Sequence, residues 1–326
     1  MSDDNIPQDF EPGTTISGLD FSGQDSSNRV LMDCTFSNCN FAHANLRQSQ
    51  LSRSVFSGCD FSAAILQDAT LEDSEFYACS FAGVDATGSF WHRTTLNKVD
   101  WRKANFTRAN LLELQMLEVD WTDINLTRAT LSGVRPSMGF HGGNVDMLAC
   151  VGCDFSGLKL EGVKGEILFF RSGRLADAEL LHCDLPQWIV QETDCRQMRV
   201  INCQLPRAGF SGGDFSAATF TDCDLSGASL SGVSFAAGAF VRVNLQKAGL
   251  AGADLSAATL DEVNAAMANF SHVRLPHAQL RSVDLRLADG HNVDFSVATL
   301  KNCLLDGLRP TDNERLAAER FSTDVN

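Results

Sequence analysis

The residues of this 326-residue chain that could do chemistry are eleven cysteines, seven histidines and 41 acidic side chains. Cys150 and Cys153 have the spacing of a zinc or redox pair, but no matching pair or histidine cluster completes a zinc site. His43, His92, His141, His182, His272, His277 and His291 are scattered, and the five-residue step from His272 to His277 fits neither a metal site nor a catalytic triad. No phosphate loop, dinucleotide fingerprint or nucleophile elbow is present. Asp100 and Asp120 stand twenty apart, as do Glu72 and His92, so their meaning depends on the elements that carry them. The chain reads as a non-enzyme, with no catalytic residue, cofactor or metal expected.

Those elements repeat with an unusual period. In CDLSGASLSGVSFAAGAF (223–240) the large apolar residues are Leu225, Leu230, Phe235 and Phe240, five apart. The register runs from Phe140 to Leu305 with 29 of 34 positions Phe, Leu or Val; Cys150, Gly165, Cys195, Ala265 and Gly290 break it. A second register, offset by one, runs from Ile16 to Leu131, and only Ser26 and Ala86 of its 24 positions are small. A small residue commonly stands two places before each large one, and Asp or Asn often stands immediately before it, as at Asp60, Asn105 and Asp254. Positions two apart on an extended backbone face the same way, and the remaining residues suit a corner. Phe21, Phe41, Phe61 and Phe81 recur at twenty, as do Cys39, Cys59 and Cys79. Twenty residues thus make one lap of four sides, with like residues stacked at about 4.8 Å per lap. The series predicts roughly 14 laps and a length on the order of 70 Å. Nine cysteines fall in the small inward position, and Cys150 and Cys195 fall in the large one, which makes them core filler.

Units such as ANFTR (104–108), ANLLE (109–113), INLTR (124–128) and CDLSG (223–227) resemble those of the pentapeptide repeat family. The likeness covers residues 16 to 305. It implies an all-β fold, a right-handed quadrilateral β-helix, to which the sequence adds a short C-terminal capping helix. It also implies action by binding proteins. Some members of that family mimic duplex DNA and bind DNA gyrase or a related topoisomerase, others are bacterial effectors, and end-to-end dimers occur.

The expected organisation is an acidic tail or cap over 1–15, a first repeat stretch over 16–131, an interruption or loop with a register shift over 132–149, a second stretch over 150–309, and a C-terminal cap over 310–326. The interruption, SGVRPSMG and the glycines after it, reads as a bulge with a local bend, as a hinge or partner-binding loop, or as the boundary of two separately moving domains. Pro136 and His141 are its candidate contacts. Trp188 occupies a position that otherwise holds small residues, so it either widens that side or points outward as a contact. Asp312 is placed to cap a helix whose Leu316 and Phe321 shield the last lap or join a second copy.

The net charge is −15, which argues against direct nucleic-acid binding. Duplex DNA carries one charge per ~1.7 Å, so a 70 Å mimic needs about 40 negative charges. Residues 31–310 hold 31 acids against 23 lysines and arginines, so mimicry along the whole length is weak, although a patch could suffice. No apolar run spans a membrane, and MSDDNIPQDF lacks the features of a secretory leader. A cytoplasmic location is expected, with export by a route that reads no such leader left open. The expectation is a scaffold that binds another protein, with a topoisomerase, a homodimer partner or an effector role as alternatives.

Overall fold

The computed structural model describes residues 10–323, apart from the side chains of residues 321–323. It divides into two compact units, Met1–Phe169 and Phe170–Asn326. In the first unit, Thr15–Ser17, Thr35–Ser37, Val55–Ser57, Glu75–Tyr77, Thr95–Asn97, Gln115–Leu117 and Arg135–Pro136 form a parallel seven-stranded sheet, each strand paired with the one a lap later. A second face stacks Thr70–Glu72, Phe90–His92, Asn110–Leu112, Thr130–Ser132 and Leu148–Val151. Parallel bridges such as Asp20 to Asn40 and Asp25 to Asn45 hold the other sides. In the second unit, strands from Glu179–Leu181 to Thr299–Lys301 repeat every twenty residues in one parallel sheet. Each unit is therefore a coil of twenty-residue laps, as the spacing predicts.

The local chemistry explains the repeat. Most corners put the residue two after the large one in the left-handed region, as at Asn38 (φ 50°), Lys103 (φ 58°) and Glu262 (φ 54°). That conformation costs a non-glycine residue about 1 kcal/mol. The residue before the large one helps hold the corner: Asp20, Asp60 and Asp254 each accept the backbone N–H two residues on, at 3.0, 2.8 and 2.9 Å. This bond suits Asp and Asn and accounts for their place in the unit.

Inside, like stacks on like. Phe21, Phe41, Phe61 and Phe81 lie with centroids 4.5, 4.7 and 4.7 Å apart and nearly parallel rings. Burying each such ring contributes roughly 2–3 kcal/mol. Trp91 is accommodated where its neighbouring large position is only Ala86, and its indole N–H donates to the buried Ser89 hydroxyl at 2.8 Å. The small inward residues satisfy carbonyls of the preceding lap. Ser54 and Ser74 donate to the Leu31 and Leu51 carbonyls at 2.7 Å, and the Cys59 and Cys79 thiols to those of Phe36 and Phe56 at 3.5 Å. Cysteine is thus a serine-like donor in this position.

Over residues 132–149 the register shifts by one residue while the coil continues. Pro136 stands five after Leu131, is buried and pairs with Met116, so it continues the large inward series. The residue is lost between Pro136 and Phe140. One lap there has nineteen residues, with Leu131 paired to Cys150 and Asn125 bridged to Asn144. The shortened side brings adjacent laps too close for a side chain: a Cβ on Gly139 would strike the Lys159 carbonyl, and one on Gly143, at φ 93°, the Ile124 carbonyl.

The ends differ from the middle. Phe10 sets its ring edge-on to Phe21 and Phe36, 6.3 and 5.8 Å away, so residue 10 covers the first lap; the rest of the expected tail, residues 1–9, lies outside the described residues. At the other end helix α1 spans Asn313–Thr323. Asp312 caps it as expected, its Oδ1 accepting the N–H groups of Glu314 and Arg315 at 2.9 and 3.0 Å. The helix lies against the side of the coil, where the outward-placed His291 is buried, while the last lap keeps Leu305 44% exposed. Leu316 is half-buried, and the Phe321 side chain lies outside the described residues. No described helix is long and apolar enough to cross a membrane.

Gly139→Ala is expected to destabilise the chain by about 2 kcal/mol or more, because the backbone of the next lap must move. Urea denaturation followed by circular dichroism reads this directly. Gly18→Ala, at a corner where a Cβ meets nothing, serves as the comparison and should cost less.

Candidate functional site

The inward chemistry is closed off. Ten cysteines are buried, and burial pushes the Cys34 and Cys195 thiols above the ordinary range. Trp188 is 1% exposed and packs against Phe210 at 5.3 Å, with no hydrogen-bond partner for its indole N–H among the described residues. It is therefore a core residue and not a contact. Pro136 is likewise inward and unavailable to a partner. His141 alone of the three is exposed, and its Nδ1 lies 3.5 Å from Glu161, which also pairs with Lys159 at 2.7 Å. Asp146, the acid nearest in sequence, accepts the backbone N–H groups of Glu166 and Ile167 at 3.0 and 3.2 Å, a structural use.

Several outer charged residues pair across laps. One corner of the first unit carries Asp33, Arg53, Asp73, Arg93 and Glu113 in succession. Arg53 meets Asp33 at 2.7 Å and Arg93 meets Asp73 at 2.7 Å. Those arginines hold the Asp33 and Asp73 carboxyls below the usual range. Glu72 and His92 meet as their spacing predicts, at 3.0 Å, and His92 lies 3.8 Å from Glu113. Asp100 and Asp120 are bridged, with Arg102 between them at 2.6 and 3.6 Å. Each is a surface ladder of charges paired across laps.

Among the described residues, two departures from this pattern bring polar side chains together. Where the charged corner turns onto the seven-stranded sheet, Arg93, Asn97, Glu113, Leu117 and Arg135 line a groove of about 600 Å³. The Asn97 Oδ1 there is buried with no partner among the described residues, Leu117 is 51% exposed, and Arg135 is exposed. Nothing in the five-residue period marks this groove. Only the proximity of Arg135 to the register shift could have pointed to it.

The second place is at α1, where His272, His291 and Glu319 converge. The sequence pairs His272 with His277, whereas the fold pairs it with His291, whose ring lies 5.2 Å away. Glu319 Oε2 lies 3.0 Å from His272 Nε2 and 3.2 Å from His291 Nε2. Three such groups could suggest a cation, but the Asp312 backbone N–H donates to His291 Nδ1 at 3.1 Å. A neutral His291 therefore carries its proton on Nε2, which donates to Glu319 and has no lone pair for a metal. The cluster anchors the helix. Burial pushes the Glu319 carboxyl up, but hydrogen bonds from His291 and Arg315 outweigh it, and the net direction is down. A depressed carboxyl stabilises docking above the ordinary carboxylate range and loses that effect as pH falls through and below it.

Hydrogen exchange should accordingly show the α1 amides protected at neutral pH and unprotected below about pH 4, while the laps hold. Zinc or a chelator should leave the melting temperature unchanged. A rise with zinc would overturn the assignment of His291 as a proton donor.

Residues 30–106 match a family model described as a pentapeptide repeat region, and residues 192–236, 240–275 and 268–307 match one for pentapeptide repeats in eight copies. Among solved structures, HetL, a pentapeptide repeat protein involved in heterocyst differentiation regulation in the cyanobacterium Nostoc, is 20% identical over 82% of this chain and 87% of its own, with a TM-score of 0.22. Trypsin-treated QnrB1, a plasmid-mediated fluoroquinolone resistance protein, is 16% identical over 95% of this chain and 97% of its own, with a TM-score of 0.28. Rfr23, a pentapeptide repeat protein of the cyanobacterium Cyanothece, is 21% identical over 37% of this chain and 88% of its own, with a TM-score of 0.27. No curated protein matches the chain.

Proposed function

Because this chain belongs to the pentapeptide repeat family, we propose that it is a non-enzymatic scaffold that binds another protein through its outer faces and ends. The observation that carries this reading is the filled interior. Phe21, Phe41, Phe61, Leu230, Phe235 and Phe240 are all fully buried, and the inward positions leave no room for a substrate. What remains for recognition is the surface. The charged corner argues against a DNA-like face there, since Asp33, Arg53, Asp73, Arg93 and Glu113 alternate in sign. A duplex presents one sign throughout.

One partner is a second copy of the chain, docked at the last lap. Leu304 and Leu305 are 48% and 44% exposed there, and the strand Thr299–Lys301 ends its sheet with one side unpaired. Affinity capture from cell extract tests the scaffold reading: recovery of a defined protein partner supports it, and a chain that retains none overturns it. Sedimentation should show a dimer that Leu305→Glu converts to monomer. A wild-type monomer at tens of micromolar would remove the second copy as a partner.

A further inference from the structure

We propose that the groove between Arg93, Asn97 and Arg135 receives an extended peptide segment of a partner protein, one carrying a single carboxylate beside a branched apolar side chain. The inference rests on the scaffold reading and names where, and for what chemistry, that scaffold binds.

Three features converge on this ligand. The first is charge. Along the corner each arginine faces an acid one lap away, Arg53 on Asp33 and Arg93 on Asp73. The column then passes Glu113 and ends at Gly133, which has no side chain to continue it. Arg135, two residues on, is exposed and makes no ion pair among the described residues. Its guanidinium is free to take a carboxylate in a forked contact. The second is a polar wall: Asn97 lines the groove, and its buried Oδ1 has no partner among the described residues, so a small side-chain rotation would offer it to a peptide N–H. The third is apolar surface. Leu117 is 51% exposed beside the buried Met116, and together they offer a place for an aliphatic side chain.

The surroundings narrow the class further. The strands Thr95–Asn97, Gln115–Leu117 and Arg135–Pro136 are already paired with one another, so a peptide cannot enter between them by strand addition. Recognition within the groove then falls to the side chains that line it. Glu113 stands within the groove and would repel a run of acids or a phosphate backbone, which leaves room for one carboxylate and not for a nucleic acid. The volume of about 600 Å³ lies within the range of clefts that hold a few residues of ligand.

The test uses the full chain and a fluorescein-labelled peptide, Gly-Ser-Glu-Leu-Ser-Gly, read by fluorescence anisotropy. Saturable binding is expected, weakened about tenfold when Gln replaces the peptide's Glu and about tenfold by Arg135→Gln. Leu117→Ser should weaken it about fivefold. Both substituted residues are exposed, so circular dichroism melts should match the wild type, and Arg207→Gln, in the second unit, should bind as the wild type does. Equal binding of the Glu and Gln peptides, equal binding by Arg135→Gln, or no saturable binding up to about 1 mM would overturn the proposal. Displacement by free propionate as effectively as by unlabelled peptide would make this a small-carboxylate site and overturn it too. Capture from extract separates the two readings. Partners retained equally by wild type and Arg135→Gln sink the groove and leave the scaffold standing, whereas no partner for either sinks the scaffold and the groove with it.

Discussion

Each lap hydrogen-bonds to the next through its backbone, and that coupling constrains everything else in the chain. The Phe41 N–H donates to Asp60 one lap on, and the Asn40 N–H to Leu19 one lap back, at 2.6 and 2.9 Å. Interior laps therefore have their main-chain groups satisfied by their neighbours, as buried backbone requires. Lap length must then stay constant, because a lap of different length would shift every bond after it. This is the physical reason that the period is twenty and that a change must be absorbed within one side. Between Pro136 and Phe140 that happens: the lap loses one residue, Gly139 and Gly143 allow the close approach, and the Ser137 hydroxyl accepts the Glu118 N–H at 2.8 Å. The side chain stands in where the main-chain ladder lapses.

The same coupling decides where chemistry can occur. Inward positions are rows of like residues a lap apart, so a polar residue there is held by one repeated partner, the carbonyl of the preceding lap. Ser54, Thr94 and Cys79 all obey this. Thiols in that geometry are structural donors in an apolar row. Outward positions are rows too, and charges in a row must alternate or repel. The Asp33-to-Glu113 corner alternates, which aligns successive laps and leaves little net field. Exposed pairs of this kind contribute modestly to stability. Next to this paired column, Arg135 makes no ion pair among the described residues.

Periodicity carried much of this in the sequence. The stacking of Phe21, Phe41 and Phe61, the inward cysteines, the Glu72–His92 contact and the Asp312 cap were all legible, because each depends on residues a fixed number of places apart. The inward turn of Pro136 was hidden because proline is not read as a core residue, and the nine-residue step from Leu131 to Phe140 obscured the slot between them. Trp188 was ambiguous because its position otherwise holds small residues, and only its packing on Phe210 fixes its direction. The meeting of His291 with Glu319 was not legible at all, since it depends on where a helix outside the repeat comes to rest.

Recognition on a surface made of rows must come from places where the rows are interrupted. A perfect row offers a partner the same side chains at every lap, so it fixes no single position along its length. The corner column breaks at Gly133, where an acid–base alternation stops, and the seven-stranded sheet ends at Arg135–Pro136. Both interruptions fall within one lap of the shortened side. A partner that needs one carboxylate, one N–H donor and one apolar side chain is offered all three complements at that point, in Arg135, Asn97 and Leu117. The lost residue thus makes this stretch of an otherwise repetitive surface locally distinct.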